Sequence, residues 1–377
     1  MKKNQLQVAT KQRLAKAVMA FILMMMSCTQ LHAQIKVVDE DGHMPVAYAS
    51  IFDDATGKVL GKTASNGVIP IKLNPDATIS IQHINYQPVT IQVGAIKNDS
   101  IHMQGKSYQV NEVAINNQDH DYLRMKYYIR QYTFLNSMVA EVDESICYAY
   151  YDYKDHSKKP IKQILSRKVL RDESAIKNQK MALQIFATNN DPLQFVSLNS
   201  ENISTALGNL AEAKKTEVKQ YMMKDNVKMA NRILRYDSIH QHLEVLIDSG
   251  MVEKPIKVPL FGISMTNLYC QANLKTSNNQ VKLTGLENML VSYRIVHNKT
   301  QGFVDLYAEM YPIGADYADK KDLQETKSQA KDNKKDSKEK RKSGEGTSFE
   351  RPSNANIPPF NKYVEAAMKT MTEPKDL

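Results

Sequence analysis

The chain has 377 residues, 19 tyrosines, no tryptophan, three cysteines and a net charge of +9. That charge is concentrated: residues 1–33 carry five basic and no acidic groups, and residues 320–342 carry ten basic and five acidic ones. The rest is close to neutral, which excludes a broad basic groove for nucleic-acid phosphates, and so few cysteines exclude a cysteine-built metal cluster.

At the amino terminus Lys2, Lys3, Lys11, Arg13 and Lys16 lead into the apolar run Ala17–Met26, and Leu31-His32-Ala33 sets a small residue before Gln34. A basic start, a short apolar core and a small-residue cut predict a secretory signal peptide over residues 1–33. The run is shorter than the roughly 20 apolar residues of a transmembrane helix, so none is expected in the mature chain. Cys28, in Met25-Met26-Ser27-Cys28, offers a second outcome in which it is lipidated and becomes the new terminus. Both routes end in the periplasm or at the outer membrane. Of the two remaining cysteines, Cys147 and Cys270, both stand in β-like stretches; a bridge and two buried thiols are equally compatible with that placement.

The mature length suggests two domains. Residues 34–115 alternate short β-like segments with turn signals at Asp41-Gly42, Gly57, Asn66-Gly67, Asn74-Pro75 and Asn98-Asp99. The segments are Ile35–Val38, Pro45–Phe52, Val59–Thr63, Val68–Ile71, Thr78–His83, Val89–Val93 and Ser100–Met103, which predicts a seven-stranded β-sandwich.

Val37-Val38-Asp39 with Gly42, Pro45-Val46, Ala49-Ser50-Ile51, Gly61, Thr63, Asn66-Gly67, Ile79-Ser80-Ile81 and Tyr86 resemble the carboxypeptidase-regulatory-like domain. That transthyretin-like sandwich is common in envelope proteins of Bacteroidetes-type bacteria, and Val110–Ile115 is similar to its exit strand. The resemblance implies a spacer or interaction module in the envelope and carries no peptidase activity. A leading glycine is absent at Gln34-Ile35, and Asn85-Tyr86 stands where the family has Gly-Tyr. Asn tolerates positive φ better than other non-glycine residues.

Residues 119–318 read as an α+β domain of no recognised family, so the fold class is mainly β or α+β. Tyr128, Ile129, Tyr132, Leu135 and Met138 or Val139 at helical spacing predict an amphipathic helix over Asp121–Val139. Ser145–Lys154, Pro160–Leu170 and Met181–Ala187 read as strands, and Ser200–Met223 as helix. From Leu243 the strand-like runs Leu243–Ile247, Lys254–Phe261, Ser264–Asn273, Gln280–Leu283, Asn288–Val296 and Gly302–Tyr311 predict an antiparallel meander. The polar, lysine-rich residues 319–356 hold too little apolar surface to offset chain entropy and are expected to be a disordered linker. Residues 357–377 should hold a C-terminal helix at Lys362–Met371, capped by Asn361.

Chemistry is sparse. His240 and His242 share a face if they lie on a strand and are the candidate metal ligands, with Glu244, Asp237 and Asp248 nearby, yet no recognised spacing completes a zinc set. Asp119-His120-Asp121 fits a helix start better than a ligand set. Gly262-Ile263-Ser264-Met265-Thr266 lacks the second glycine of a nucleophile elbow. No His-Glu-x-x-His, phosphate-binding glycine loop or dinucleotide fingerprint occurs, so no cofactor and no catalytic residue is assigned. Tyr148, Tyr150, Tyr151 and Tyr153 form a dense tyrosine group and are the binding-surface candidates.

The leading expectation is therefore a non-enzymatic exported envelope protein that binds an envelope protein, lipid or glycan, with no nucleic-acid partner. A metal-dependent hydrolase using His240 and His242, and a small outer-membrane β-barrel, are the alternatives.

Overall fold

The structure is a computed structural model that describes residues 34–40, 44–106, 120–152, 154–155, 158, 160–178, 217–224, 227–237, 241–248, 256–258, 262–277, 280–298, 302–343, 348–353 and 357–374. It is mainly β, and it divides into two compact units, one ending at Gly105 and one running from Lys106, with Thr56–Val59 grouped with the second. The leader, Cys28, Val110–Ile115 and Met181–Ala187 lie outside the described residues.

In the first unit β1 (Lys36–Asp39) pairs in parallel with β6 (Ser100–Met103). A second sheet has the order β3 (Val59–Lys62), β2 (Ser50–Asp53), β4 (Thr78–His83) and β5 (Tyr86–Gln92). Val37, Ile101 and Met103 from the first sheet and Ile51, Ile79 and Ile81 from the second bury into one core. Six of the seven expected segments are strands; Val68–Ile71 instead contributes a single bridge from Val68 to Lys36, as Pro45 does to Val38. Thr63 ties these pieces together: its buried hydroxyl donates to the Val46 carbonyl and accepts from the Ala49 amide, each at 2.8 Å. Gly67 turns at φ +78°, where an added Cβ would lie 2.4 Å from the Val37 carbonyl oxygen, so only glycine fits. Asn98 and Asp99 both adopt positive φ at their turn, whereas Asn85 does not.

The second unit is built on one ten-stranded sheet. Its path is β10 (Glu217–Lys224), β11 (Val227–Asp237), β12 (His242–Asp248), β14 (Ile263–Ser277), β15 (Gln280–His297), β16 (Phe303–Ala318), β7 (Tyr122–Leu135), β8 (Met138–Asp152) and β9 (Ile161–Arg171); β13 (Ile256–Val258) pairs with β14. The meander expected from Leu243 onward is present, and it continues through β16 into β7, a pairing of residues nearly two hundred positions apart.

Three expectations need correction. Asp121–Val139 is not a helix: it is β7, the two-residue turn Asn136-Ser137 with φ of 48° and 71°, and the start of β8. Both faces of β7 are largely buried, so apolar and aromatic residues occur on both and a helical subset matches by coincidence; its aromatic content suits a strand. Residues 217–223 of the expected Ser200–Met223 helix are strand β10, and residues 200–216 lie outside the described residues. Gln280–Leu283 and Asn288–Val296 are one strand, because Gly285 lets the chain pass a bulge where a Cβ would sit 2.3 Å from the Lys275 carbonyl oxygen.

The lysine-rich segment also differs from expectation. Residues Lys320–Ser343 form helix α2, following the short α1 (Glu173–Lys177) and preceding α3 (Lys362–Met368). Leu323 and Thr326 of α2 are buried and Ala330 and Ser337 are half-buried, a stripe at spacings of three, four and seven residues that is made of small side chains after Leu323. Asn361 caps α3 by accepting from the Tyr363 amide at 2.8 Å, as its sequence implied.

Candidate functional site

The large sheet separates two chemistries by strand alternation. One face carries Met125, Tyr127, Ile129, Cys147, Ala149, Leu243, Val245, Val291, Tyr293, Leu306 and their neighbours in one apolar cluster, to which α1 adds Ile176. The opposite face carries charged and amide side chains that are buried as well. Such groups cost several kcal/mol each unless they are paired. Here they find partners, Asn288 Nδ2 being the exception among the described residues.

Arg130 is the centre of the largest group. Its Nε donates to Glu309, its other nitrogens reach Tyr311 Oη and the Pro358 carbonyl at 3.1 and 2.7 Å, and its guanidinium lies 4.8 Å from the Phe360 ring centre. Glu309 also accepts from Tyr132 Oη at 3.1 Å. On the neighbouring strand Glu144 accepts from Tyr128 Oη at 2.5 Å and from both Arg351 nitrogens at 2.7 and 2.8 Å. Burial and the Glu144 carboxylate push the Tyr128 phenol well above its usual range. Farther along the sheet Gln271 donates to Glu244 at 2.6 Å, Arg235 to Glu244 at 3.3 Å, and Asn273 to Asn288 at 2.7 Å. These groups brace strands and dock Arg351, Pro358 and Phe360 against the sheet.

The apolar face has its own paired charges near one end. Arg171 donates to Glu141 at 2.6 Å, and Arg167 to Asp143 at 2.8 Å. Burial pushes the Glu141 carboxyl up to about 7 against the pull of Arg171.

A cavity of about 700 Å³ lies between β9, an end strand of the sheet, and α2. Its cationic lining is Lys162, Arg167, Lys327, Lys331 and Lys334, with Ile164, Leu165 and Ala330 as its apolar part. The helix is positioned by Asn333, which donates to the Leu165 carbonyl at 2.7 Å, and by Thr326, which accepts from buried Tyr150 at 2.7 Å. An end strand exposes unpaired backbone groups, and α2 covers one of them. At 100° per residue Lys327, Lys331 and Lys334 share one helix face, while Asp322, Glu325, Asp332, Asp336 and Glu339 fall on the opposite half. No carboxylate lines the cavity, and Lys327, Lys331 and Lys334 form no ion pair among the described residues.

The tyrosines singled out by sequence are placed differently from one another. Tyr150 is buried against Leu323 and Ala318, and Tyr151 Oη lies 3.1 Å from Tyr127 Oη with its own phenol pushed up to about 12 by burial. Tyr148 is half-buried under the Arg124 guanidinium, 4.8 Å from its ring centre. Of the three only Tyr150 is fully buried; Tyr153 lies outside the described residues. His240 does too, and His242 Nδ1 is 3.7 Å from Glu287. Among the described residues no three His, Cys, Asp or Glu side chains gather as a metal site. His120 stacks on Tyr317 and lies 3.1 Å from Asp319, while Asp121 accepts from the Lys320 amide at 3.4 Å, so this pair stands at the start of α2. Ser264 is buried and donates to Asn298 at 2.7 Å. Cys147 and Cys270 are buried free thiols on β8 and β14, with β15, β16 and β7 between them.

The cavity was missed in the sequence because its two walls are strand and helix segments far apart in the chain. The one available signal was the segregation of acids and lysines along α2. No family model matches the chain, and no curated protein matches it significantly. Among the described residues no helix is long and apolar enough to cross a membrane.

Proposed function

We propose that the chain is a non-enzymatic exported envelope protein whose second unit binds an anionic partner in the cavity between β9 and α2. The observation that carries this reading is the set of three lysines lining a half-open cavity with no carboxylate among its described lining residues. Pockets of this size accommodate a small ligand or the end of a larger one. Elsewhere the buried charges neutralise one another, which is the arrangement of a framework rather than of a reaction centre.

The first unit, with two sheets around one core, is in keeping with the carboxypeptidase-regulatory-like sandwich and would act as a spacer or interaction module. Export rests on the leader sequence. The test is fractionation of bacteria expressing the full chain, with intact-mass analysis of the envelope fraction. A mature chain beginning at Gln34, or a lipidated one beginning at Cys28, supports the reading, and an uncut cytoplasmic chain refutes export. Stoichiometric zinc that disappears in His240→Ala would replace the binding reading with that of a metal-dependent hydrolase.

A further inference from the structure

We infer that the cavity between β9 and α2 takes a phosphate-bearing amphiphile, the headgroup and first methylenes of an anionic phospholipid. This deepens the binding reading above and rests on it. Charge comes first. Lys327, Lys331 and Lys334 recur at spacings of four and three residues, so their ammonium groups converge on one side of the helix while every acid of α2 is on the other half. Ammonium groups bind phosphate as point charges, without the fixed fork a guanidinium would impose. Arg167, the one guanidinium in the lining, is already bound to Asp143 through two nitrogens.

The opposite wall supplies the apolar half. Ile164 and Leu165 lie in the lining, and Ile164 is 39 % exposed. An exposed aliphatic side chain beside lysines that form no ion pair among the described residues matches a ligand that has a charged head on a hydrocarbon stem. Among the described residues the lining contains no Tyr, Phe or Trp, the rings on which sugar faces stack, even though the chain has 19 tyrosines to place. An acidic glycan is therefore the poorer fit. The volume of about 700 Å³ exceeds what a bare phosphate needs and leaves room for several methylenes.

The experiment is isothermal titration of the full mature chain with three probes: a short-chain phosphatidylglycerol below its micelle concentration, inorganic phosphate, and a galacturonate trimer. The expected result is one lipid bound per chain, at least tenfold tighter than inorganic phosphate. Lys327→Gln/Lys331→Gln/Lys334→Gln should weaken lipid binding about tenfold or more. Lys321→Gln/Lys335→Gln/Lys340→Gln, with the same loss of charge on other helix faces, should leave it unchanged. Ile164→Ser should weaken the lipid and not the phosphate. Equal loss in both triple variants would overturn the assignment of the site. Binding of the galacturonate trimer without the lipid would overturn the ligand class and leave the binding reading standing, whereas a wild-type chain that binds none of the three overturns both.

Discussion

Arg351 reaches back 207 residues to grip Glu144 on β8, placing Nε 2.7 Å from one carboxylate oxygen and a terminal nitrogen 2.8 Å from the other. Glu144 is buried to 1 % exposure, and Arg351 roofs it with its guanidinium 4.6 Å from the Phe360 ring centre. The contact holds the segment before α3 against a sheet it meets only after the rest of the chain has been made.

Removing one partner of that pair leaves a buried charge short of its counter-ion. Arg351→Met should destabilise the protein by about 2–3 kcal/mol, below the usual range for buried pairs because Arg351 is half-exposed. Glu144→Gln/Arg351→Met should cost less than the two single changes together. A double-mutant cycle from urea melts of the mature chain measures this, and strict additivity would show that the pair does not couple.

Glu141 has a folded pKa of about 7, raised from 4.5 by burial. The folded state then holds more protons than the unfolded state between those values. This contribution to stability is fully present below pH 4.5 and is lost as pH rises towards 7. Glu141→Gln should therefore flatten the stability profile across that window, as read from urea midpoints at pH 4.5, 5.5 and 7; an unchanged slope would contradict it.

Burial pushes the Cys270 thiol up to about 12, and three strands separate it from Cys147. Both thiols should ignore a disulfide reagent in the native protein and react fully in denaturant. A Cys147–Cys270 peptide in a non-reducing digest would contradict the structure.

Helix α2 rests on little apolar surface, chiefly Leu323 packed against Tyr150 and Ala318. Leu323→Ala should cost about 2–3 kcal/mol and raise hydrogen exchange across α2 ahead of the β14–β15 hairpin. A disordered linker would exchange at once in both proteins, with no effect of the substitution.

What could be read without coordinates was whatever depends on local patterning. The turns at Asn66-Gly67 and Asn98-Asp99 answer to backbone conformations few residues adopt, the alternation of β15 and β16 answers to one apolar face opposite a polar one, and the cap at Asn361 to an orphan amide. The strand β7 was hidden because its second face is buried by residues near the carboxyl terminus, which fills in the alternation with Tyr128, Arg130 and Tyr132. Helix α2 was hidden because its inward stripe is made of threonine, alanine and serine, whose contribution depends on an end strand being there to meet them. Local sequence thus determined the turns, the cap and the strands of the meander. Only tertiary structure decided that Arg351 pairs with buried Glu144 and that Lys327, Lys331 and Lys334 face a cavity, because both depend on segments more than 150 positions apart closing on the same sheet.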